Sequence, residues 1–217
     1  TWNAGKGIIV ECNDGANDIN VRNYKAKKGS GTIVTFTPDY TLFETDSLEE
    51  DDLIELVEDR LINLQVSFPK IEFRFNGEKI GTKTFKEYAK VYGEHSVVEQ
   101  TDKLSLIITS SDEGFRHNSF VNGVHTFQGG SYVNFVSNGI VDELVTLIKK
   151  KHKVDVSKTV IKNGLSIIIF AREFLDPKFE SQSKEQLAST VAKTKEHYVA
   201  SGAHDFDWLA KKLVAED

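Results

Sequence analysis

Methionine is missing from all 217 residues, position 1 included, where Thr1 stands, so the expectation is a piece of a longer protein. Cysteine occurs once, at Cys12, which excludes an internal disulfide. With no signal-peptide pattern at the start, that single thiol points to a reducing cytoplasmic compartment and away from secretion. No apolar run approaches the roughly 20 residues that a membrane-spanning helix needs, so no membrane partner is expected. A basic excess is lacking too: Lys and Arg number 27 against 33 Asp and Glu, for a formal charge of −6. Domains that coat nucleic acid carry the opposite balance, so any DNA contact must be local. The six histidines, at positions 95, 117, 125, 152, 197 and 204, show no paired metal-ligand spacing with Cys12, which disfavours zinc. Nor does the order of residues offer a nucleophile with a base. What remains, 39% hydrophobic and 28% charged, is the composition of a globular protein long enough for one large or two small domains.

The stretch Ser119-Phe-Val-Asn-Gly-Val-His-Thr-Phe-Gln-Gly-Gly-Ser131 organises the rest. Asn122-Gly123 is a tight-turn dipeptide because Gly123 tolerates positive φ, so two strands meet there. Gln128-Gly129-Gly130 breaks the strand, and Ser131 is placed to cap a helix start. Val133, Val136, Ile140, Val141, Leu144 and Ile148 then follow at helical spacing. Upstream, Leu104 to Thr109 and Arg116 to Val121 flank the turn signal Asp112-Glu113-Gly114 and, with Val124 to Phe127, predict an antiparallel set. Downstream, Leu165 to Phe170 is a buried apolar strand, so the helix makes a β-α-β crossover, which the general rule makes right-handed.

Elsewhere the signals are local. Residues 1–30 fit a short strand, Gly7 to Cys12, and a loop. Gly5-Lys6-Gly7 lacks the glycine spacing and the Ser/Thr of a phosphate loop. Ile33 to Thr37 is β-rich and ends at Pro38, which predicts the last strand of a sheet. Ser47 with Glu50 has capping-box spacing, and Leu48, Leu53, Ile54, Val57, Leu61 and Leu64 share one helical face. The acidic residues of that segment read as a solvated face. Ile71 to Phe75 alternates into Asn76-Gly77 and predicts a hairpin. Thr84 to Tyr92 predicts a short helix. After Lys184 the chain is polar and helix-like to its end. Asp205-Phe-Asp207 reads as helix-start chemistry.

Three segments carry a family resemblance. Phe120-Val-Asn-Gly-Val-His-Thr-Phe-Gln-Gly-Gly-Ser-Tyr132 is similar to a signature in the transducer domain of type IIA DNA topoisomerases, the family of gyrase B subunits and eukaryotic topoisomerase II. Leu165-Ser-Ile-Ile-Ile-Phe170, Asp176-Pro-Lys-Phe179 and Ser181-Gln-Ser-Lys-Glu-Gln-Leu187 resemble a second signature of that family, in the right order. Gly31-Thr-Ile-Val-Thr-Phe-Thr-Pro-Asp39 with Phe43-Glu-Thr-Asp46 resembles a third, in wording closest to the T4-like phage branch. The resemblance covers roughly residues 31 to 187.

That resemblance implies an α+β fold. Residues 1–45 would be the trailing part of a GHKL (Bergerat) ATP-binding domain, 46–189 a transducer domain like domain two of ribosomal protein S5, and 190–217 a helical tail. The β-α-β crossover of that domain is left-handed, against the general rule. The function implied is the coupling of ATP binding and hydrolysis to DNA strand passage in a homodimeric enzyme with further domains or subunits, working on double-stranded DNA with ATP and Mg²⁺. The family's Gln-Thr-Lys loop, here Gln182-Ser183-Lys184, contacts the ATP γ-phosphate, and an amide with an ammonium suits that ligand. Thr32 corresponds to a threonine near the adenine. His125 stands where the family often has asparagine and reads as structural. Lys149, Lys150, Lys151 and Lys153 close the long helix, where lysines complement the dipole. The family's transducer also walls the cavity for transported DNA, so a phosphate contact is the second reading. The glycine-rich lid, the Mg²⁺-binding asparagine and the water-activating carboxylate have no counterpart here, so this stretch alone is expected to be inactive. The rivals are the middle domain of another GHKL ATPase, of mismatch-repair or chaperone type, and a binding module without ATP.

Overall fold

The computed structural model describes residues 1–42, 47, 51–80, 84–93 and 95–215, which fall into two compact units, Thr1–Glu50 and Asp51–Asp217. In the first unit β1 (Trp2–Asn3), β2 (Lys6–Asn13), β3 (Asp18–Lys25) and β4 (Ser30–Gly31) form one antiparallel sheet in the order β3-β2-β1-β4. Ala4 and Gly5, at φ 49° and 86°, turn β1 into β2, so Gly5-Lys6-Gly7 is a turn and a strand start. The polar stretch after Cys12, expected as loop, is instead the eight-residue strand β3, laddered to β2 along its whole length and exposed throughout. Asp14-Gly15 at the bend was the available signal, with Asp14 and Gly15 at φ 49° and 61°. The expected strand at Ile33 to Thr37 does not form, and Ile33, Val34 and Phe36 are exposed. β-propensity measures fit to a neighbouring pleated surface, and among the described residues no strand pairs with this run. Phe43 to Asp46, Leu48 of the expected apolar helix face and Glu50 of the expected capping box lie outside the described residues.

The second unit begins with α1 (Asp51–Ser67). The short hairpin β5 (Arg74–Phe75) and β6 (Glu78–Lys79) then turns through Asn76-Gly77 at φ 49° and 82°. Thr84 caps α2 (Phe85–Ala89) through a reciprocal capping box with Glu87. The main sheet follows, built from β7 (Val97–Gln100), β8 (Leu104–Ser110), β9 (Arg116–Val121), β10 (Val124–His125) and a later strand, β12. Between β10 and β12 lie β11 (Gly129–Gly130), α3 (Ser131–His152) and α4 (Lys158–Asn163). After β12 (Leu165–Ala171) come β13 (Gln186–Leu187), α5 (Val191–Ala200) and α6 (Phe206–Ala215). No helix among the described residues is long and apolar enough to cross a membrane.

Sheet order is β10-β9-β12-β8-β7, with β12 antiparallel to β8 and parallel to β9. The expected antiparallel set is therefore corrected: β8 and β9, joined by the Asp112-Glu113-Gly114 turn, are held apart by β12. Ile167, Ile168, Ile169 and Phe170 explain this, because each is at most 1% exposed and a strand apolar on both faces gains most in the middle of a covered sheet. One face, with Leu106, Ile108, Ile167 and Ile169, packs on Val136, Ile140 and Leu144 of α3 and on Leu209 of α6. The other, with Ile107, Phe120, Ile168 and Phe170, packs on Val66 of α1 and Phe85 of α2.

Two buried polar links tie the helices to the sheet. Arg172 donates through Nε to the Ser67 carbonyl at 3.0 Å and through Nη2 to the Val66 carbonyl and Ser105 Oγ, both at 2.9 Å. It thereby satisfies carbonyls at the end of α1 that have no partner within the helix. His197 of α5 faces the Arg172 carbonyl with Nε2 at 2.7 Å and the Tyr132 hydroxyl with Nδ1 at 2.9 Å. A carbonyl only accepts, so Nε2 carries the proton and Nδ1 accepts from Tyr132. Burial holds the His197 pKa below its ordinary value of 6.5, which favours this neutral form.

A histidine whose folded pKa is depressed binds its proton more readily when unfolded, so the His197 contribution is complete above about pH 6.5 and is lost as pH falls below that. His197→Gln, which keeps a donor toward the Arg172 carbonyl, is expected to make the loss of stability between pH 7 and pH 5 shallower by up to about 1.4 kcal/mol per pH unit. Part of the slope should survive, because burial also lowers the pKa values of His117 and His125. Urea unfolding across that range checks it, and a slope identical to wild type would contradict the assignment.

Candidate functional site

Residues 179–187 form a closed loop. Phe179 and Leu187 make an antiparallel bridge, and the Glu180 amide donates to the Gln186 carbonyl at 3.2 Å. At the tip, the Lys184 amide donates to the Ser181 carbonyl at 3.1 Å, with Lys184 at φ 61°, and Ser181 Oγ lies 2.6 Å from Ser183 Oγ. This tight turn presents Gln182 and Lys184 to solvent, and neither side chain has a hydrogen-bond or ion-pair partner among the described residues. An unpaired ammonium beside an unpaired amide donor is suited to an anion with several acceptor oxygens, such as the end of a phosphate chain.

The base of the loop is joined to the start of α3. β13 pairs in parallel with β11, Gly129 opposite Gln186 and Gly130 opposite Leu187. Gln128 adds two bonds to Glu185, amide to carbonyl at 3.0 Å and Nε2 to Oε2 at 2.6 Å. The glycine pair therefore does more than end a strand. A Cβ on Gly130 would lie 2.1 Å from the Leu187 carbonyl oxygen, and the residue holds φ 111°. Only glycine permits so close a backbone approach. Ser131, expected as the cap of α3, is instead its first residue; Gly130 occupies the cap position and makes no side-chain bond. The Ser131 hydroxyl accepts from Thr194 Oγ1 of α5 at 3.3 Å.

The other candidates lie elsewhere. Thr32 belongs to the first unit, exposed, with Oγ1 3.1 Å from Thr1 Oγ1. Lys149, Lys150, Lys151 and Lys153 sit at the far end of α3 from the 179–187 loop, a helix of 22 residues and so about 33 Å long. Lys149 is paired with Asp155 at 2.7 Å, which raises its pKa through that hydrogen bond. Lys153 ends the helix in the left-handed region, its amide donating to the Lys149 carbonyl at 3.0 Å. Lys150 and Lys151 are exposed without an ion-pair partner among the described residues, and they border a shallow cleft with Leu147, Lys211 and Val214. His125 stacks on Phe120 at 4.7 Å, and Asp205 Oδ1 accepts from the Trp208 amide at 2.8 Å to start α6. Among the described residues no three His, Cys, Asp or Glu side chains converge to hold a metal ion. Gln128 and Glu185, which fasten the loop base, were not singled out from the sequence, although both stand inside the segments that resemble family signatures.

A family model described as DNA gyrase B matches residues 73–203. The DNA topoisomerase large subunit of Enterobacteria phage T4 is 35% identical over 197 residues, 91% of this chain and 38% of that protein. Human DNA topoisomerase 2-alpha is 32% identical over 169 residues, 72% of this chain and 11% of that protein. The chain thus spans well under half the length of these relatives. In fold it is similar to the ATPase region of Saccharomyces cerevisiae topoisomerase II, with TM-score 0.79 at 24% identity over 98% of this chain and 56% of that one. The ATPase and transducer domains of DNA topoisomerase II from Balamuthia mandrillaris give TM-score 0.80 at 23% identity, over 98% and 55%.

Gly130→Ala should separate β11 from β13, because the new methyl meets backbone rather than a movable side chain. The expected cost is about 3 kcal/mol or more. Gly114→Ala is the comparison: its φ is 90°, but nothing lies within 4 Å of the added Cβ, so only backbone strain of about 1–2 kcal/mol applies. Denaturant unfolding of both variants measures the difference, and equal costs would remove the argument from close approach.

Proposed function

The chain belongs to the DNA gyrase B family of type II DNA topoisomerases, and on that basis we propose that it is the transducer region of a large topoisomerase subunit, with the trailing edge of its ATP-binding domain. The proposed divisions are 1–45 for that edge, 46–189 for the transducer and 190–217 for the closing helices. The observation that carries the reading is the closed loop of 179–187, whose tip offers two unpaired donors and whose base is fastened to α3.

Lys184 and Gln182 donate to γ-phosphate oxygens of ATP, and Thr32, in the first unit, is an adenine-side residue. ATP supplies a phosphate that is present before turnover and gone after it, which is the differential contact a two-state switch requires. The loop tip follows that phosphate. β13 carries the displacement to β11 through backbone hydrogen bonds, and α3 moves with β11 as a stiff rod. At the other end of the rod, Lys150 and Lys151 meet phosphates of double-stranded DNA, with Lys149 and Lys153 beside them. Mg²⁺ and the hydrolytic groups belong to parts of the homodimeric enzyme outside this stretch, so the 217 residues alone turn over no ATP.

Lys184→Ala in the intact subunit tests the sensor. A hydrogen bond to a charged group contributes about 1.5–3 kcal/mol, so ATP turnover and strand passage should fall roughly tenfold to a hundredfold. Stability should move by no more than about 0.5 kcal/mol, as expected for an exposed side chain without partners. Wild-type activity would refute the role, and a large drop in melting temperature would make Lys184 structural.

For the DNA contact, Lys150→Gln with Lys151→Gln should reduce the slope of log affinity against log salt by about 0.9 for each phosphate no longer neutralised, up to about 1.8. Lys149→Gln should do less, because Asp155 already engages that ammonium. Titration of duplex DNA binding across a salt series reads both, and an unchanged slope in the double variant would return the cluster to its helix-end role.

A further inference from the structure

Glu185 poses an electrostatic difficulty for the loop it anchors. It is a carboxylate one residue from Lys184, well placed by sequence to neutralise the ammonium that the proposed function needs free. Among the described residues the two do not pair. The Glu185 carboxylate is engaged instead by Gln128: Oε2 accepts from Gln128 Nε2 at 2.6 Å, while the Glu185 carbonyl accepts from the Gln128 amide at 3.0 Å. Gln128 and Glu185 are 57 residues apart in the chain. Their side chains link the β11 and β13 segments, directly beside the two-residue ladder of Gly129 with Gln186 and Gly130 with Leu187.

We infer that Gln128 is a positioning residue for phosphate sensing: it holds the Glu185 carboxylate away from Lys184 and fixes the loop tip relative to α3. The inference rests on the proposed sensor role of Lys184 and adds to it a residue outside the loop. Without the Gln128 amide, the Glu185 carboxylate loses its partner and is free to pair with Lys184, its neighbour in the chain. A carboxylate engaged with that ammonium competes with the γ-phosphate and does not compete with the rest of the nucleotide. The defect should therefore be specific to the triphosphate.

The test uses the intact subunit and two probes, a β,γ-imido analogue of ATP and ADP. Gln128→Ala should weaken the triphosphate analogue about threefold to tenfold and leave ADP affinity unchanged. Gln128→Glu, which sets two carboxylates against each other, should be at least as damaging. The exchanged pair, Gln128→Glu with Glu185→Gln, rebuilds an amide-to-carboxylate bond in the opposite sense and removes the competing charge. It should bind the analogue within about twofold of wild type. Unchanged analogue affinity in Gln128→Ala, alongside weakened binding in Lys184→Ala, would overturn the inference and leave the sensor reading standing. Equal loss of both nucleotides with a lowered melting temperature would reduce Gln128 to a structural tie and likewise overturn it. A Lys184→Ala variant that binds the analogue normally would remove the sensor reading itself.

Discussion

β12 is buried on both faces, and the architecture of the second unit follows from accommodating it. Four consecutive side chains, Ile167 to Phe170, are at most 1% exposed, and full burial of such residues stabilises by about 1.5–3 kcal/mol each. A strand of this kind must lie inside a sheet that is covered above and below. Its insertion separates β8 from β9, makes β9–α3–β12 a parallel crossover, and sets α3 and α6 on one face with α1 and α2 on the other. Arg172, the residue after β12, then reaches the end of α1, while its carbonyl accepts a hydrogen bond from His197 Nε2. The same strand end thus fastens helices on both sides of the sheet.

This arrangement gives the 179–187 loop a rigid reference. The chain leaves β12, passes through the loop and returns as β13 against β11, whose two glycines lead straight into α3. The two segments lie so close that a Cβ on Gly130 would meet the Leu187 backbone. α3 is one continuous helix of 22 residues, so an unbroken hydrogen-bonded backbone joins its Ser131 end to its His152 end. On the proposed reading, coupling between nucleotide and DNA is reciprocal by thermodynamic necessity, so DNA held at Lys150 and Lys151 would in turn bias the loop.

Much of this was legible in the residues because it is encoded locally. Asn122-Gly123 and Asn76-Gly77 fold as turns because left-handed φ values are cheap for those side chains. Val133 to Ile148 is a helix because its apolar residues recur at helical spacing, and Leu165 to Phe170 is a strand because six largely apolar residues in a row fit a doubly covered sheet. Gln182, Lys184 and Thr32 were reached only through resemblance, since an exposed amide, ammonium or hydroxyl has no periodicity to betray it. Gln128 and Glu185 stand in the same family-like segments and escaped notice, because nothing in either segment states that the two touch.

The sequence by itself determined which stretches turn, which coil and which are apolar enough to be buried, because sterics and side-chain spacing act within a few residues. Partner choice was decided only by the tertiary structure. Ile33 to Thr37 has strand residues and no described partner, whereas the polar β3 is a strand because β2 offers a full ladder. β8 and β9 adjoin in sequence but not in the sheet, and Arg172 finds its carbonyls more than a hundred residues away. Such pairings depend on the summed burial of surfaces brought together from distant parts of the chain, a quantity that no local window of residues contains.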